Sequence, residues 1–282
     1  MTNIELATKF IPMLDAIYKR ESLTSILDAP TQADFTNGNT VKVMNVETSG
    51  LGDYSRQNGY AKGTASLTWE TLTLAEDRSA ELEVDRMDDE EALGMAFGTI
   101  SNEFIRVNVA PEIDAYRFAK YAKAANIGSA SGALESGEAV QAALRACATG
   151  MDEAEVPAEN RVLFITPTNY GLIEDLDTTK SREVLKRFSA VIQVPQSRFY
   201  SDITLNDGSS SWGFAKASGG KDLNFLAVEK SAVIQAVKLV LPKIFSPDEN
   251  QTKDAWKFQY RHYHDAFALV KKAKGIYAHT KA

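Results

Sequence analysis

Residues 76–85 alternate between apolar and polar side chains, which is typical of a half-buried β-strand. In such a strand, Ala80, Leu82 and Val84 would lie on one face, which is apolar. Glu81, Glu83 and Asp85 would lie on the other face, which is acidic. Carboxylates continue beyond this strand and give way to apolar residues near residue 92. So many acids in one short stretch are compatible with a metal site, an acid–base site or a solvated surface.

A second extended pattern comes before this strand. TVKVMNV and ASLTWETLTL are strand-like, and the Gly-rich polar segment GLGDYSRQNGYAKG separates them. The pattern from Val41 to Val84 therefore predicts a long hairpin with a polar tip. Because an isolated two-stranded ribbon is only marginally stable in water, this hairpin must lie against another surface. That is the first indication of assembly.

Beyond Asp88 the apolar residues recur at helical spacing. They are Leu93, Phe97, Ile100, Phe104 and Val107. We predict one long amphipathic helix from residue 88 to about 125, spanning roughly 55 Å at 1.5 Å per residue. Pro111 falls inside this pattern, and a proline in a helix interior costs about 3 kcal/mol, so a kink or restart is expected there.

The acidic run lies in the first turn of that predicted helix. It consists of four consecutive carboxylates: Asp88, Asp89, Glu90 and Glu91. At this position they would cap free backbone N–H groups and oppose the positive end of the helix dipole. The run does not follow the D-x-[DN]-x-[DN]-G pattern of calcium loops. We therefore favour a helix start over a metal site, with Arg78 and Arg86 as local ion-pair partners.

The second half of the chain alternates helix-like and strand-like segments. IGSASGALESG is predicted to be a flexible linker and a domain boundary. The helical segments are EAVQAALRACATGM, TPTNYGLIEDL and SREVLKRF, with Thr166 as N-cap and Pro167 at the first position of the second. The strand-like segments are RVLFIT, AVIQVP, LNFLAVEKSAV, AVKLVLPKIFS and AWKFQYRHYHDAFALVKKAKGIYAH. Residues 201–222 are predicted to be a long polar loop.

Residues 1–28 are predicted to form a partly helical arm. Its apolar side chains suit one helix face that packs on protein: Ile4, Ile11, Leu14 and Tyr18. Acidic residues interrupt the apolar run, so this segment does not resemble a signal peptide. The later run AVIQAVKLVLP is too short and too charged to span a bilayer, so we expect a soluble, cytoplasmic chain with no membrane partner.

Composition narrows the function classes further. The chain has 282 residues, of which 44% are hydrophobic and 24% are charged, as in an ordinary globular protein. Its formal net charge of −7 argues against a general nucleic-acid binder, which carries a basic surface. The single cysteine, Cys147, excludes an intramolecular disulfide and fits a reducing compartment.

Motifs for catalysis are missing from the sequence. It contains no phosphate-binding loop, no dinucleotide fingerprint and no G-x-S-x-G. Cys147 lies in an amphipathic helical segment and is interpreted as a small buried residue. His262 and His264 would project from one face of a strand, but no further ligand completes a metal site, so we interpret them as structural or surface residues. We expect no catalytic residue, metal or cofactor, and not an enzyme; an unrecognised enzyme using the acidic run or the histidine pair is the alternative.

The order of these segments resembles the major capsid proteins of tailed bacteriophages, which have the α+β Hong Kong 97-like fold. The resemblance runs from about residue 40 to the end and rests on several phrases in order: YSRQNGYAKGTASLTWETLTLAEDRSAELEVDRMDDEE, PEIDAYRFAKYA, RVLFITPTNYGLIED, VIQVPQSRF and IFSPDENQTKDAWKFQYRHYHDAFALVKKAKGIYA. The implied parts are residues 1–40 as N-terminal arm and connector, 41–87 as extended E-loop hairpin, 88–134 as peripheral domain with its long spine helix, 135–235 as axial domain, and 236–282 as the C-terminal strands of the peripheral domain.

By the same resemblance, the E-loop hairpin lies over a neighbouring subunit. The residues then expected in inter-subunit contacts are Tyr54, Arg56, Lys62 and Trp69. Some relatives carry a covalent lysine–asparagine crosslink, for which Lys62 and Asn250 are conceivable partners. We do not expect this crosslink, because most relatives assemble without it.

The implied function is that of a coat protein. Hexamers and pentamers of the chain would form an icosahedral shell that encloses double-stranded DNA without sequence-specific binding. The chain has no room for a scaffolding segment of its own, so a separate scaffolding protein is implied, together with a portal protein and, as an optional partner, a decoration protein. The protein would belong to the virion after assembly in the host cytoplasm. The alternative is an encapsulin-like nanocompartment shell that encloses cargo protein.

Overall fold

The structure, a computed structural model, describes residues 21–28, 35–36, 38–57, 59–91, 96–176 and 178–282. For residues 35, 36, 90, 91, 96 and 97 it describes the backbone alone. The apolar stripe predicted for the N-terminal arm, at Ile4, Ile11, Leu14 and Tyr18, lies outside the described residues. No helix within the described ranges is long and apolar enough to cross a bilayer.

The described strands are, in chain order, β1 (Phe35–Thr36), β2 (Thr40–Thr48), β3 (Ala65–Thr73), β4 (Glu76–Asp85), β5 (Gly128–Ser131), β6 (Arg161–Ile165), β7 (Ala190–Gln193), β8 (Ile203–Leu205), β9 (Phe214–Lys216), β10 (Leu223–Glu229), β11 (Val233–Phe245), β12 (Ala255–Ala268) and β13 (Ile276–Thr280). The described α-helices are α1 (Arg86–Glu91), α2 (Ala96–Phe104), α3 (Ala110–Ala122), α4 (Gly137–Glu153), α5 (Pro167–Leu176) and α6 (Thr179–Leu185). A π-helical turn (Ile105–Val109) joins α2 to α3, and 3₁₀ segments lie at Leu23–Leu27, Gln196–Arg198, Lys230–Ala232 and Val270–Gly275.

One antiparallel sheet has the strand order β11–β12–β4. The alternation predicted for residues 76–85 is confirmed, because successive residues of β4 are alternately half-buried and exposed. The register places Leu82 opposite Phe258 and Ala80 opposite Tyr260, so these side chains share the inner face of the sheet. That apolar face requires a covering layer.

Residues 96–122 form a helical path that covers this inner face. Ile105, Val109 and Ile113 pack there in one apolar cluster with Phe258 and Tyr260. The path consists of α2, the π-helical turn and α3, so the predicted long helix is present but not uniform.

The π-helical turn lies immediately before Pro111, at the interruption that the sequence predicts. Proline lacks an N–H group and its ring crowds the carbonyl four residues back, and the wider turn accommodates both effects. The helical segment at the acidic run begins at Arg86 rather than at residue 88, and residues 92–95 lie outside the described ranges.

A five-stranded sheet, in the order β5–β13–β10–β6–β7, forms the second body of the fold. Helices α4, α5 and α6 cover one face through an apolar cluster that includes Leu144, Ile173 and Val184. On the opposite face, the Phe118 ring of α3 meets the Phe164 ring edge-on, with 5.0 Å between centroids. The helix α3 therefore packs against both sheets.

The predicted hairpin is present as a ribbon of β2 and β3, with the short β1 paired to β2. Its returning strand ends at Thr73, and Leu74 is buried at the base of the ribbon. The chain then enters β4, which belongs to the β11–β12–β4 sheet. The segment expected to be one hairpin over residues 41–87 thus consists of a ribbon followed by an edge strand of the body.

Two segments predicted to be irregular contain strands. In the expected linker, Gly128–Ser131 is β5, which pairs in parallel with β13. Gly128 is suited to this contact, because a Cβ there would lie 2.5 Å from the Tyr277 ring. In the expected loop over residues 201–222, β8 and β9 form an antiparallel hairpin. All three strands depend on pairing that composition does not reveal: β5 pairs with the distant β13, and β8 pairs with β9 across the loop.

A buried carboxylate, Asp114 of α3, holds the short segment that begins at Ser22. Its oxygens accept hydrogen bonds from Ser22 Oγ at 2.9 Å, Leu23 N at 2.9 Å, Thr24 N at 3.1 Å and Thr24 Oγ1 at 2.6 Å. Arg198 Nη1 lies 3.3 Å from the same group and offsets its charge. Because the carboxylate is fully buried, its stability depends on this set of donors.

We predict that Asp114→Ala lowers the free energy of unfolding by about 3 kcal/mol, because the donors and Arg198 lose a buried partner. Denaturant unfolding of the unassembled subunit measures this loss, and hydrogen exchange should rise at residues 22–28. The matched control is Asp202→Ala, whose partner Lys123 is 69% exposed. This control should change stability by no more than about 0.5 kcal/mol. Equal losses in the two variants would contradict the anchoring role of Asp114.

Candidate assembly surfaces

The outer face of the β2–β3 ribbon is apolar and exposed. The register pairs Met44 with Trp69 and Val46 with Leu67, so these four side chains share one face. Their exposed fractions range from 52% for Met44 to 58% for Trp69. A contiguous exposed apolar face of this kind marks an interaction surface, and the described residues do not cover it. We call it the ribbon outer face.

The inner face of the ribbon contacts the body mainly at its base. Val41 is buried there together with Leu74 and Ala236. Farther along, Glu47 Oε1 lies 2.6 Å from Lys271 Nζ, and these side chains are 66% and 37% exposed respectively. The hydrogen bond and charge of Lys271 lower the pKa of Glu47. The ribbon is therefore held by apolar packing at its base and, farther along, by an ion pair that water and salt weaken.

The tip of the ribbon, residues 49–57 and 59–64, presents aromatic side chains to solvent. Ser55 and Gly59 exchange backbone hydrogen bonds that close the turn, and Gly59 adopts a φ of +76° that favours glycine. The rings of Tyr54 and Tyr60 meet edge to face at 5.2 Å, and they are 63% and 88% exposed. The tip thus carries a preformed aromatic pair with no cover from the described residues.

All the side chains predicted for inter-subunit contact are exposed: Tyr54, Arg56, Lys62 and Trp69. Trp69 belongs to the ribbon outer face, whereas the other three lie at the tip. Within the described ranges, Arg56 and Lys62 form no ion pair with their own chain. Their contact with a second subunit stays a prediction.

The carboxylates of β4 pair with basic side chains of β12 and the loop before it. Glu83 lies 3.1 Å from Lys257 and 3.0 Å from Lys253, and Asp77 lies 2.5 Å from Arg261. The hydrogen bonds from these cations lower the pKa of both carboxylates. The acidic face of the strand is therefore a cross-strand ladder of ion pairs within one chain.

The start of α1 is capped by the last acid of the strand. Asp85 Oδ1 accepts a hydrogen bond from Met87 N at 2.9 Å, which is the geometry of an N-cap. Arg86 extends away to the loop before β12, where it lies 2.6 Å from Asp248 and 3.3 Å from Asp254. These contacts join the start of α1 to the loop between β11 and β12, at the same end of the sheet.

The acidic run itself follows this cap. Asp88 is exposed and Asp89 is 8% exposed, whereas the side chains of Glu90 and Glu91 lie outside the described residues. Asp88 and Asp89 lie in the first turn of α1, but the described cap of this helix is Asp85 rather than a member of the run. Ion pairs between this run and a neighbouring subunit stay a prediction.

Arg78 connects three elements, a role that the sequence did not indicate. Its Nε lies 2.7 Å from Glu112 Oε1 on α3, and its Nη1 donates to the carbonyl of Asn206 at 2.7 Å. Nη2 also donates to the carbonyl of Gly213 at 3.5 Å. Arg78 therefore holds the loop between β8 and β9 against the β11–β12–β4 sheet and the helix. Its ion pair is with Glu112 rather than with the acidic run for which it was predicted.

A cleft of about 550 Å³ opens beside Arg78, between β4, the helical path and the β8–β9 loop. Its walls are largely apolar and aromatic, and they include Phe104, Val107, Ile113, Trp212 and Tyr260. His262 and His264 also line this cleft. A concave apolar site with a few polar groups is the usual form of a binding pocket.

His262 and His264 project from the same face of β12, as predicted. Their rings stack with 4.5 Å between centroids, and each residue is only 2% exposed. Burial, followed by the charge of Arg117, lowers the pKa of His262 to about 3. Burial likewise places the pKa of His264 well below its ordinary value. The pair is therefore neutral and structural at physiological pH, and the surface interpretation is excluded.

Cys147 is completely buried in α4, in agreement with its interpretation as a structural residue. Burial raises the pKa of its thiol to about 12, so the nucleophilic thiolate is not formed near neutral pH. Among the described residues, no group of three or more His, Cys, Asp or Glu side chains is arranged to hold a metal ion.

Solved structures with the same architecture include phage capsids and a virus-like particle. The capsid of the cyanophage P-SCSP1u is 13% identical, with a TM-score of 0.62 over 93% of this chain and 88% of that one. The mature capsid of bacteriophage PhiM1 is 9% identical, with a TM-score of 0.59 over 89% and 84% of the two chains. The virus-like particle from Pyrococcus furiosus is 11% identical, with a TM-score of 0.61 over 97% and 99%.

This chain has the fold of a phage capsid subunit. The expectation of a capsid-type α+β fold is thereby confirmed. No protein-family model matches the chain, and no curated protein matches its sequence. Because the identities are so low, the likeness concerns the fold, and the roles of individual residues come from the surfaces described above.

We predict that His262→Gln makes stability less dependent on pH between about 3 and 6.5. In this window the unfolded chain binds a proton at His262 and the folded chain does not, so wild-type stability falls as the pH falls. Removing the imidazole of His262 should reduce the slope of the unfolding free energy against pH by about 1.4 kcal/mol per pH unit. Denaturant unfolding of the unassembled subunit at several pH values measures the slope. The control is His279→Gln, because His279 lies outside the histidine pair and its Nδ1 is 3.0 Å from Asn224 Nδ2, so this substitution should change the slope less. An unchanged slope for His262→Gln would contradict the neutral buried pair.

Proposed function

We propose that this protein is the subunit of a closed icosahedral shell, the major capsid protein of a tailed phage. The observation that carries this function is the ribbon outer face. Met44, Val46, Leu67 and Trp69 expose an apolar surface that an isolated subunit cannot bury. A second copy covers that surface, and hexamers and pentamers repeat the same contact until the shell closes. The likeness to phage capsids supports this role.

The remaining properties of such a shell follow as parts of the same proposal. Its role is structural rather than enzymatic, and it encloses double-stranded DNA without reading its sequence. A net charge of −7 favours weak adhesion of DNA to the inner wall. Assembly takes place in the host cytoplasm with a scaffolding protein and a portal protein, and the assembled protein is part of the virion.

A second candidate function is a compartment that encloses protein cargo. It is considered because the match to the Pyrococcus furiosus virus-like particle, which is not named as a phage capsid, covers almost the whole of both chains. Purified particles distinguish the two functions through their contents. Packaged DNA resistant to external nuclease supports the phage shell, whereas a stoichiometric co-purifying enzyme with no nucleic acid supports the compartment.

We predict that Trp69→Ser strongly reduces the yield of particles without unfolding the subunit. Trp69 is 58% exposed, so the substitution removes contact area from the interface while it leaves the subunit core intact. The control is Thr68→Ser, at an exposed neighbour on the opposite ribbon face. Negative-stain microscopy and sedimentation measure particle yield, and circular dichroism measures folding. Equal yields from both variants would refute the role of the ribbon outer face.

Deletion of residues 52–63 provides a larger change at the tip. The remaining ribbon still has Ser49 N bonded to the carbonyl of Thr64, so we expect a folded, soluble subunit. This subunit should fail to form shells when it is co-expressed with its gene neighbours. Normal particles from the deletion would refute a role for the tip in assembly.

A further inference from the structure

A groove of about 450 Å³ lies between the β2 strand of the ribbon and the body of the subunit. Five consecutive residues of β2, from Lys42 to Val46, form one wall, so the groove follows the edge of the strand rather than one face of the ribbon. The opposite wall comes from two 3₁₀ segments and the residues next to them, and it includes Ser231, Lys271 and Lys272. This groove shares no lining residue with the larger cleft described above.

The edge of β2 that lines the groove has backbone groups available for pairing. In the order β1–β2–β3, the short β1 pairs only with the first residues of β2, Thr40 and Val41. β3 pairs with the other edge of β2 as far as Thr48. Within the described part of the chain, the groove edge beyond Val41 therefore has no strand partner. Alternate residues of an antiparallel strand direct N–H and C=O away from the paired strand, so this edge can accept an extended segment of another chain.

Three lysines border the groove, in a chain whose net charge is −7. We call Lys42, Lys271 and Lys272 the rim lysines. Lys42 and Lys272 form no ion pair with the described residues. Lys272 Nζ donates to Ser231 Oγ at 3.0 Å, which leaves two of its N–H groups for a ligand. Lys271 is paired with Glu47, but that carboxylate is 66% exposed, so the rim as a whole retains an excess of positive charge.

The walls between the rim lysines are apolar. Val43, Ile234 and Leu269 line the groove on the side of the body, whereas Met44 and Val46 line it from the ribbon outer face and are about half exposed. No aromatic side chain is among the described residues of this lining, so the bases of a nucleic acid would have no ring on which to stack. A nucleic acid also lacks the peptide groups that a strand edge pairs with. These walls suit a peptide that carries both carboxylates and apolar side chains.

We propose that this groove binds an extended acidic peptide of another protein, which adds as a strand to the free edge of β2. The peptide backbone pairs with residues 42–46, its carboxylates bind the rim lysines, and its apolar side chains pack on Val43 and Leu269. The charge of the rim selects an acidic segment, and the strand edge selects an extended one. This binding site goes beyond the proposed function, because it does not require that copies of the chain assemble.

Binding of a defined peptide to the full-length, unassembled subunit tests the site. The probe is a fluorescein-labelled peptide of repeating Glu-Glu-Val-Val sequence, and fluorescence anisotropy measures its dissociation constant. Lys42→Ser combined with Lys272→Ser should weaken binding about tenfold, because two charged contacts are lost. The control combines Lys180→Ser with Lys221→Ser, which changes the net charge equally at two exposed positions outside the groove and should leave the affinity unchanged. A Lys-Lys-Val-Val peptide should not bind, and circular dichroism checks that each variant is folded.

Two N-methylated forms of the probe test the strand pairing separately from the charge. Methyl groups on alternate backbone nitrogens block the N–H groups along one edge of an extended peptide and leave the other edge intact. Only one edge of the bound peptide faces β2. One methylated form should therefore bind like the parent probe, and the other should lose binding.

Several results would overturn the site. They are no binding of the probe by the folded wild-type subunit, an affinity that the substitutions at Lys42 and Lys272 leave unchanged, and equal binding of the two methylated forms. Tighter binding of an oligothymidylate than of the acidic peptide would assign the groove to nucleic acid and also overturn the proposal. All these measurements use the unassembled subunit, so a negative result leaves the shell function standing, and a failure to form particles leaves the peptide site standing.

Discussion

A ribbon of two long β-strands has two faces and no core of its own. Its apolar side chains are buried only where another surface covers one of these faces, and the rest of the structure depends on this constraint. The inner face of β2–β3 is buried at its base against Leu74 and Ala236, and the outer face has no cover within the described residues. An isolated subunit can be folded and still carry an apolar surface exposed to water. In the proposed shell, neighbouring copies would cover this surface.

The body that carries the ribbon is held together by buried polar contacts across its elements as well as by apolar packing. The helix α3 lies between two sheets, and Asp114 and Glu112 on it bind the segment at Ser22 and the Arg78 side chain respectively. Arg78 in turn fixes the β8–β9 loop. These contacts join parts of the chain that are far apart in sequence, which explains how a subunit can present a ribbon at one end without loss of order in the body.

Periodicity predicted the elements with strong local signals. The alternation of Ala80, Leu82 and Val84, the N-cap at Thr166 and the common face of His262 and His264 were all correct. Gly128–Ser131 and the β8–β9 hairpin were missed, because their strands form through pairing with β13 or across a polar loop.

The candidate surfaces were predictable only in part. The exposure of Tyr54, Arg56, Lys62 and Trp69 follows from a hairpin with a polar tip and an uncovered face. The partners of Arg78 were not predictable, because Glu112 and Asn206 are brought to it by tertiary packing alone. The role of Asp114 was not predictable either, because its donors come from a segment about ninety residues away.

The small size of the ribbon outer face has a kinetic consequence. Burial of four half-exposed apolar side chains yields about 3–6 kcal/mol. That gain is comparable with the cost of about 4–15 kcal/mol for immobilising one molecule against another. One such contact would therefore dissociate readily. In the proposed shell, a misplaced subunit would leave before further contacts hold it, and only a closed ring of copies would accumulate enough contacts to persist.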